Sequence, residues 1–249
     1  MIKVGIADYG LNQWYGGMHD YEWRLNMLKE IGFDGIERLE VASPAKALEY
    51  NALAAKLGMG FATCRGTNAS DTLTFSAGLG KKYIWVQAPS KNFDEHCRQA
   101  NHQAELAAQY GIKVGIHNHL GFPVENQDQL EEFLKRCPDC GMVFDIGHLH
   151  AAGGDPAYIA EKYFDRILTV HFKDYVIKDE SISIADNWQA RLRFCEVGGG
   201  VMGDVARDVA KVLLKNNYEG WVMVEHDTHL QDPKIDLKIS REYLKNCGI

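Results

Sequence analysis

Short apolar runs, rich in β-branched residues, alternate along this chain with longer stretches of helical periodicity. Glycine or a cluster of polar residues separates each run from the next stretch. The pattern predicts eight strands, at residues 3–6, 35–39, 60–64, 83–87, 113–117, 142–145, 167–171 and 221–225. It also predicts a helix after each strand, at residues 21–31, 44–57, 70–79, 93–110, 126–135, 156–163, 204–216 and 233–247.

This alternation of strands and helices requires right-handed crossovers between parallel strands. Eight such units within 249 residues average about 31 residues each, the size expected in a closed (β/α)₈ barrel. The loop after the first strand, ADYGLNQWYGG, contains neither a GxGxxG nor a Walker motif, which argues against an open nucleotide-binding sheet. We therefore expect an α/β fold, a TIM barrel that occupies residues 1–249 as a single domain.

The amino-acid composition limits the kinds of molecule that the protein is expected to bind. Hydrophobic residues make up 46% of the chain and charged residues 24%, as in an ordinary folded globular protein. A net charge of −7, from 27 basic and 34 acidic residues, argues against nucleic acid as a partner. The sequence contains no apolar run of about 20 residues, and its start, MIKVGIADYG, lacks the features of a signal peptide. We expect no membrane segment and a cytoplasmic location.

Ionisable residues stand at the carboxyl ends of four consecutive predicted strands, the end at which barrel proteins carry their active sites. These residues are His117, Asp145, His171 and Glu225. Unpaired buried charges are costly, so a shared cation accounts for this arrangement better than a purely structural polar cluster. Imidazole and carboxylate ligands without a thiolate suit Mn²⁺, Co²⁺, Fe²⁺, Mg²⁺ or Zn²⁺, of which we favour Mn²⁺. The sequence therefore predicts one divalent metal site at these strand ends.

Other polar residues lie near the same strand ends. His119 and Lys173 each follow a predicted ligand by two residues and therefore face the same side of their strands. Lys173 has a second interpretation, a structural ion pair with Asp174 or another carboxylate. His148 lies three residues beyond the sixth strand.

Weaker candidates flank this end of the barrel. A long polar connection at residues 175–203 follows the seventh strand and is expected to cover the site. Polar residues that could bind a small polar ligand, or could be ordinary loop residues, are Glu40, Arg65, Gln87 and Glu196. Histidines without a recognisable partner, which we expect at the surface, are His19, His96, His102 and His229.

Four segments resemble a known family. They are HNHLG at 117–121, VFDIGHLHAAGGDP at 143–156, DRILTVHFKD at 165–174 and YEGWVMVEHD at 218–227. Their order and spacing resemble the xylose isomerase-like TIM barrels, which comprise sugar isomerases, epimerases and dehydratases and also endonuclease IV. Within this family the chain most resembles the inosose dehydratase group.

The resemblance implies roles for the residues at the strand ends. One divalent ion would be held by His117, Asp145, His171 and Glu225. The residues that would contact the substrate are His119, His148 and Lys173.

The resemblance also implies a reaction. In the isomerases and epimerases of this family the fifth strand usually carries a glutamate, which works with the eighth-strand glutamate as a pair of bases. Here His117 stands at that position, and its His-x-His pattern with His119 is similar to that of the inosose dehydratases. This favours loss of water from a keto-cyclitol or keto-sugar, with Glu225 as the base. His148 or His119 would protonate the departing hydroxyl, and Lys173 would steady the ketone oxygen.

Several alternatives stay open from sequence alone. The same fold suits a metal-dependent isomerase or epimerase, or an enzyme that cleaves 3-keto-glycosides. An endonuclease IV-like repair enzyme would need a larger ligand set and a basic face, which a net charge of −7 does not supply. A non-catalytic metal-binding or sugar-binding subunit would have no need of a base beside the metal. The sequence also leaves open whether His117 or His119 binds the ion, and whether the barrel works alone, as a homo-oligomer or with a subunit partner.

Overall fold

Parallel strands form a nearly closed barrel in the computed structural model, which describes residues 1–17 and 20–249. The barrel strands in the described residues are β1 (Lys3–Ala7), β2 (Gly35–Glu40), β3 (Gly60–Arg65), β4 (Tyr83–Trp85), β5 (Lys113–His117), β6 (Cys140–Asp145), β7 (Ile167–Phe172) and β10 (Trp221–Glu225). Two further strands, β8 (Asp174–Ile177) and β9 (Leu192–Cys195), pair antiparallel outside the barrel. Around the barrel the strand order is β3-β2-β1-β10-β7-β6-β5-β4. The predicted TIM barrel is confirmed, and each of its eight strands matches a predicted run.

Most helices match predicted stretches. The helices of the described residues are α1 (Tyr9–Trp14), α2 (Tyr21–Ile31), α3 (Pro44–Leu57), α4 (Ala69–Gly78), α5 (Phe93–Ala108), α6 (Gln127–Arg136), α7 (Ile146–Ala151), α8 (Pro156–Lys162), α9 (Ile184–Arg191), α10 (Gly203–Lys215) and α11 (Pro233–Asn246). Local capping sets where they begin: the Asn126 side chain accepts from the Gln129 N–H, and the Gln129 side chain accepts in return from the Asn126 N–H. The unpredicted helices α1, α7 and α9 have six, six and eight residues, too few for a clear periodic signal.

Side chains close the barrel between β3 and β4, the two ends of the hydrogen-bonded order. The Thr63 hydroxyl donates to the Tyr83 carbonyl at 2.6 Å, and Lys81 Nζ donates to the Phe61 carbonyl at 3.0 Å. β4 is shorter than the predicted 83–87 because the Gln103 side chain bonds both backbone groups of residue 87, at 2.9 and 2.7 Å. That amide takes the hydrogen-bonding positions that a continuing strand would use.

The long connection after β7 folds into the β8–β9 hairpin with α9 between its strands. Asp174, at the start of β8, is fully buried and holds the hairpin to the glycine-rich loop. Its carboxylate accepts from the backbone N–H groups of Tyr175, Gly198, Gly200 and Met202. A short hairpin interrupted by a helix lacks one steady periodicity, which is why the sequence predicted only an irregular segment.

The core divides into two layers. A large apolar cluster joins the strands to the surrounding helices. A smaller cluster lines the barrel interior, formed by Ala7, Ala62, Tyr83, Val143 and Met223. Within the described ranges, no helix combines the length and apolar character needed to cross a membrane.

Candidate metal centre at the carboxyl ends of the strands

Side chains from β5, β6, β7 and β10 converge in one group, which we call the four-residue centre: His117, Asp145, His171 and Glu225. One potential ligand atom from each residue lies within 4.8 Å of the others. His117 Nε2 is 3.6 Å from Asp145 Oδ2 and 3.8 Å from Glu225 Oε2. His171 Nδ1 is 2.6 Å from Glu225 Oε2. The structure thus brings together the four predicted ligands, with His117 rather than His119 in the group.

The donor set of the four-residue centre fits a divalent cation. His117 Nε2 and Asp145 Oδ2 are buried and make no hydrogen bond within the described part of the chain. Burial raises the pKa of Asp145 to about 6, which reflects the cost of a charge at this depth. The Asn118 side chain fixes the backbone of Asp145 through two hydrogen bonds, of 2.8 and 3.0 Å. A divalent ion between these imidazole and carboxylate atoms would satisfy them.

Lys173 is fully buried beside the four-residue centre. Its Nζ donates to His148 Nε2 at 2.9 Å and to Asp227 Oδ1 at 3.2 Å. It also lies 3.4 Å from both Asp145 Oδ2 and Glu225 Oε2. Burial lowers the pKa of Lys173, but the surrounding carboxylates outweigh that effect and raise it overall. The lysine is therefore a fixed positive charge at the centre, and its ion pairs are with these carboxylates rather than with the residue that follows it.

A second group of ionisable residues lies next to Lys173. His119, His148 and Asp227 bring potential ligand atoms within 4.8 Å of one another, and the two imidazole rings are 3.8 Å apart. Burial, reinforced by the Lys173 ammonium, lowers the pKa of both imidazoles. Burial raises the pKa of Asp227. These opposite shifts bring the proton affinities of the Asp227 carboxyl and the two rings closer together.

Glu37, on β2, is a buried residue of the site that sequence reasoning missed. Its Oε1 lies 3.1 Å from His171 Nε2 and accepts hydrogen bonds from Tyr83 Oη at 3.0 Å and Trp85 Nε1 at 2.9 Å. A carboxylate on one ring nitrogen of His171 orients the ring and directs the other nitrogen toward the centre. The signal available in the sequence was a single acidic residue inside the apolar strand GIERL.

Aromatic residues of the long connection cover this end of the barrel. The Trp188 ring, on α9, lies 6.0 Å from the His119 ring and 6.1 Å from the His148 ring. The Phe194 ring, on β9, lies 5.2 Å from His148 and 4.5 Å from Lys173 Nζ. As expected, residues 175–203 lie over the site.

The structure places Arg65 and Glu196, both predicted to bind substrate, outside the four-residue centre. Arg65 Nη1 is 3.4 Å from Glu40 Oε1, and Arg65 lines a cavity at the ends of β2, β3 and β4. Glu196 follows β9 and packs against the glycine loop, where a Cβ at Gly199 would lie 2.5 Å from its Oε1. Their substrate-binding roles remain predictions.

His96 is buried, so its expected surface location was wrong. It shares the buried face of α5 with Ala100 and Ala104, and its ring lies 6.0 Å from the Phe133 ring. The spacing of four residues to Ala100 and eight to Ala104 explains the error, because it places the histidine on the helix face that packs inward. His102 is exposed as expected, and His19 lies outside the described residues.

His229 is also buried, contrary to expectation, in a separate cluster behind β10. Its Nδ1 lies 3.1 Å from Asp236 Oδ2. His226 joins the cluster through Ser240 Oγ, at 3.1 Å from its Nε2. Asp236 and Ser240, which contact the two histidines, lie on α11. The burial of the histidines therefore depends on how the loop after β10 packs against that helix.

We expect His226 to make the fold sensitive to acid. Burial, reinforced by His229, lowers the pKa of His226 to about 3, whereas the unfolded side chain has a value of 6.5. Between these values the unfolded chain binds a proton that the folded chain does not, so stability falls as the pH falls. From pH 6.5 to about pH 5 the wild type should lose about 1 to 2 kcal/mol more than His226→Asn, measured by urea unfolding. His102→Asn, at an exposed site, should behave as wild type, and an unchanged pH dependence in His226→Asn would refute the assignment.

The fold and its site define a class: a TIM-barrel protein with clustered imidazole and carboxylate side chains at the carboxyl ends of neighbouring strands. The chain belongs to the xylose isomerase-like TIM barrel family, whose model matches residues 25–247.

Curated relatives and solved structures agree with this family. An inosose dehydratase of Lactiplantibacillus plantarum is 31% identical over 162 residues, which are 62% of this chain and 54% of the relative. An inosose dehydratase of Clostridium botulinum is 35% identical over 159 residues, 58% of this chain and 51% of the relative. The chain thus spans about half the length of these curated relatives.

Solved structures match over nearly the whole chain at low identity. A probable 3-DHS dehydratase from Bacillus anthracis has a TM-score of 0.75 at 15% identity, covering 98% of this chain and 99% of that one. An L-ribulose 3-epimerase has a TM-score of 0.69 at 13% identity, covering 99% of this chain and 94% of that one. At these identities the likeness shows the fold alone.

Proposed function

We propose that the protein is a divalent-metal-dependent dehydratase that removes water from a keto-cyclitol or keto-sugar. The observation that carries the proposal is the four-residue centre, in which the described residues give the buried His117 Nε2 and Asp145 Oδ2 no hydrogen bond. The relatives named inosose dehydratase support the choice of dehydration and of a cyclitol-like substrate.

The proposed metal ligands are His117, Asp145, His171 and Glu225, with Mn²⁺ the preferred ion. When bound, such an ion supplies a Lewis acid that polarises the substrate ketone and lowers the pKa of the adjacent C–H. Glu37 holds the His171 ring in the orientation that this role requires, through the 3.1 Å contact to Nε2.

Glu225 is the proposed base that removes the proton from the carbon next to the ketone. Burial raises the pKa of Glu225, but Lys173 and His171 outweigh burial and hold it well below the ordinary value. The carboxylate is therefore ionised and ready to accept a proton at neutral pH. The Lys173 ammonium lies 3.4 Å from Glu225 Oε2, where it can stabilise the negative charge that develops on the ketone oxygen.

The departing hydroxyl requires a proton, which the group of His119, His148 and Asp227 can supply. The bond from carbon to the β-hydroxyl breaks, the electron pair of the broken C–H bond forms the new double bond, and the hydroxyl leaves as water after protonation. We assign this proton transfer to His119 or His148, whose rings lie beside the Asp227 carboxyl. The centres of the two rings are 3.8 Å apart, and the ring planes are tilted by 38°.

Dehydration is favoured over isomerisation by the residue at the end of β5. Two-base isomerisation needs a carboxylate on each side of the substrate carbon, whereas His117 stands opposite Glu225. Burial lowers the pKa of His117 well below its ordinary value, so the imidazole is neutral and is a weak proton acceptor.

Mass spectrometry of the reaction products tests this function. The protein is incubated with scyllo-inosose and Mn²⁺, and we expect a product lighter than the substrate by one water. A product of unchanged mass but altered chromatographic position would instead establish an isomerase or epimerase.

A further inference from the structure

A cavity of about 320 Å³ lies beside the four-residue centre, at the carboxyl ends of β2, β3 and β4. Two arginines, Arg38 and Arg65, line it together with Trp85, Thr67 and Gln87. Among the described residues that line the cavity, none is acidic. An opening of this size on the active face of a barrel can hold part of a substrate, and its charged groups are both positive.

The Arg38 guanidinium is fixed in place over an aromatic ring. Its Cζ lies 3.9 Å from the centre of the Trp85 ring, and only 20% of its side chain is exposed. Its Nε is 4.0 Å from Glu37 Oε2. This contact restricts the motion of the guanidinium. The group therefore loses less entropy when it binds an anion.

The carboxylates near the two arginines pair with them only weakly. Glu37 uses its Oε1 for His171, Tyr83 and Trp85, and its Oε2 lies 4.0 Å from Arg38 Nε without a hydrogen bond. The contact between Arg65 Nη1 and Glu40 Oε1 is 3.4 Å long and joins side chains that are 58% and 37% exposed. An exposed pair of this kind contributes little and is readily exchanged for another anion.

Trp85 connects the cavity to the centre. Its ring centre lies 4.4 Å from that of His117 and 3.9 Å from the Arg38 Cζ. A substrate whose ketone lies at the four-residue centre can therefore extend past Trp85 into the cavity.

We propose that this cavity is an anion subsite, in which Arg38 and Arg65 bind a carboxylate or phosphate substituent of the keto-substrate. The inference rests on the proposed function for the identity of the reacting ketone. It predicts that, among keto-sugars and keto-cyclitols, those with an anionic substituent bind more tightly than neutral ones. Guanidinium groups bind both carboxylate and phosphate with paired, charge-assisted hydrogen bonds.

Binding of simple anions tests the subsite without using turnover. Inorganic phosphate and acetate are titrated separately into metal-free protein by isothermal calorimetry at low ionic strength. We expect at least one of them to bind with a stoichiometry of one, and Arg38→Gln and Arg65→Gln each to weaken it by about tenfold or more. The anion that binds identifies the substituent as phosphate or carboxylate. Arg207→Gln, at an exposed arginine on α10, is the matched control and should bind as wild type.

Two results would overturn the subsite: neither anion binds at millimolar concentration, or both cavity variants bind anions as well as the Arg207→Gln control. Arg65 is exposed, so Arg65→Gln keeps the test valid even if the more buried Arg38→Gln misfolds.

Comparing D-fructose with D-fructose 6-phosphate separates this proposal from the proposed function. Deuterium exchange next to the ketone is followed by NMR with Mn²⁺ present, and we expect the phosphate ester to exchange faster in wild type but not in Arg38→Gln. If anions bind through the arginines but no ketone, including inosose, reacts, the dehydratase fails and the subsite stands. If inosose is dehydrated but neither phosphate nor acetate binds to the wild type, the subsite fails and the dehydratase stands.

Discussion

Glu225→Gln is expected to lower kcat for dehydration by about 10³-fold while the fold is retained, because the amide cannot accept the proton from the carbon next to the ketone. Asp145 and Asp227 still balance the buried Lys173 in this variant, at 3.4 and 3.2 Å from its Nζ. Initial rates of product formation measure the loss, and circular dichroism checks the fold.

The matched control is Glu219→Gln, which removes a carboxylate just before the same strand. Its side chain is 81% exposed and pairs with the chain's amino terminus, so kcat should be unchanged. Glu225→Gln activity within tenfold of wild type would contradict the assignment and move the proton acceptor to a histidine.

Asp145→Asn is expected to weaken Mn²⁺ binding by more than about 100-fold, since loss of an outer-shell partner alone costs about 10- to 100-fold. The asparagine oxygen can still accept from the His148 N–H, a 2.8 Å bond in the wild type, so the start of α7 is preserved and only the charge is lost. Glu37→Gln should weaken Mn²⁺ binding less than Asp145→Asn does. It changes only the group that orients the His171 ring and leaves the four proposed ligands in place.

Calorimetry or electron paramagnetic resonance of Mn²⁺ measures both affinities. Asp139→Asn, in the exposed turn before β6, is the control and should bind the ion as wild type. Equal affinities for Asp145→Asn and Asp139→Asn would show that the ion is held elsewhere or not at all.

The barrel and the four-residue centre could be predicted from sequence because two simple regularities fix them. Alternating short apolar runs and helical stretches determine the parallel barrel, and parallel strands bring their carboxyl ends to one face. His117, Asp145, His171 and Glu225 each end such a run, so their proximity follows from the topology alone.

Other features depend on contacts between elements that are distant in sequence. Glu37 belongs to the site because β2 places it beside His171, which follows it by 134 residues in the chain. β4 ends early because Gln103, on α5, reaches back to it. No local periodicity encodes either contact, so neither was predicted.

The sequence also favoured a histidine as the store of the proton for the leaving hydroxyl, since imidazole titrates near neutrality. In the folded chain, burial lowers the pKa values of His119 and His148 and raises that of Asp227. Such shifts depend on depth in the barrel and on the nearby Lys173, which the sequence alone does not specify.

The central claim is tested most directly by a proton NMR time course in D₂O, with metal-stripped protein and scyllo-inosose, before and after Mn²⁺ is added at a level that does not broaden the signals. The account predicts that ring signals disappear and those of a deoxy-dione product grow only when Mn²⁺ is present. Exchange of the proton next to the ketone without loss of water, or product formation at the same rate without the metal, would contradict it.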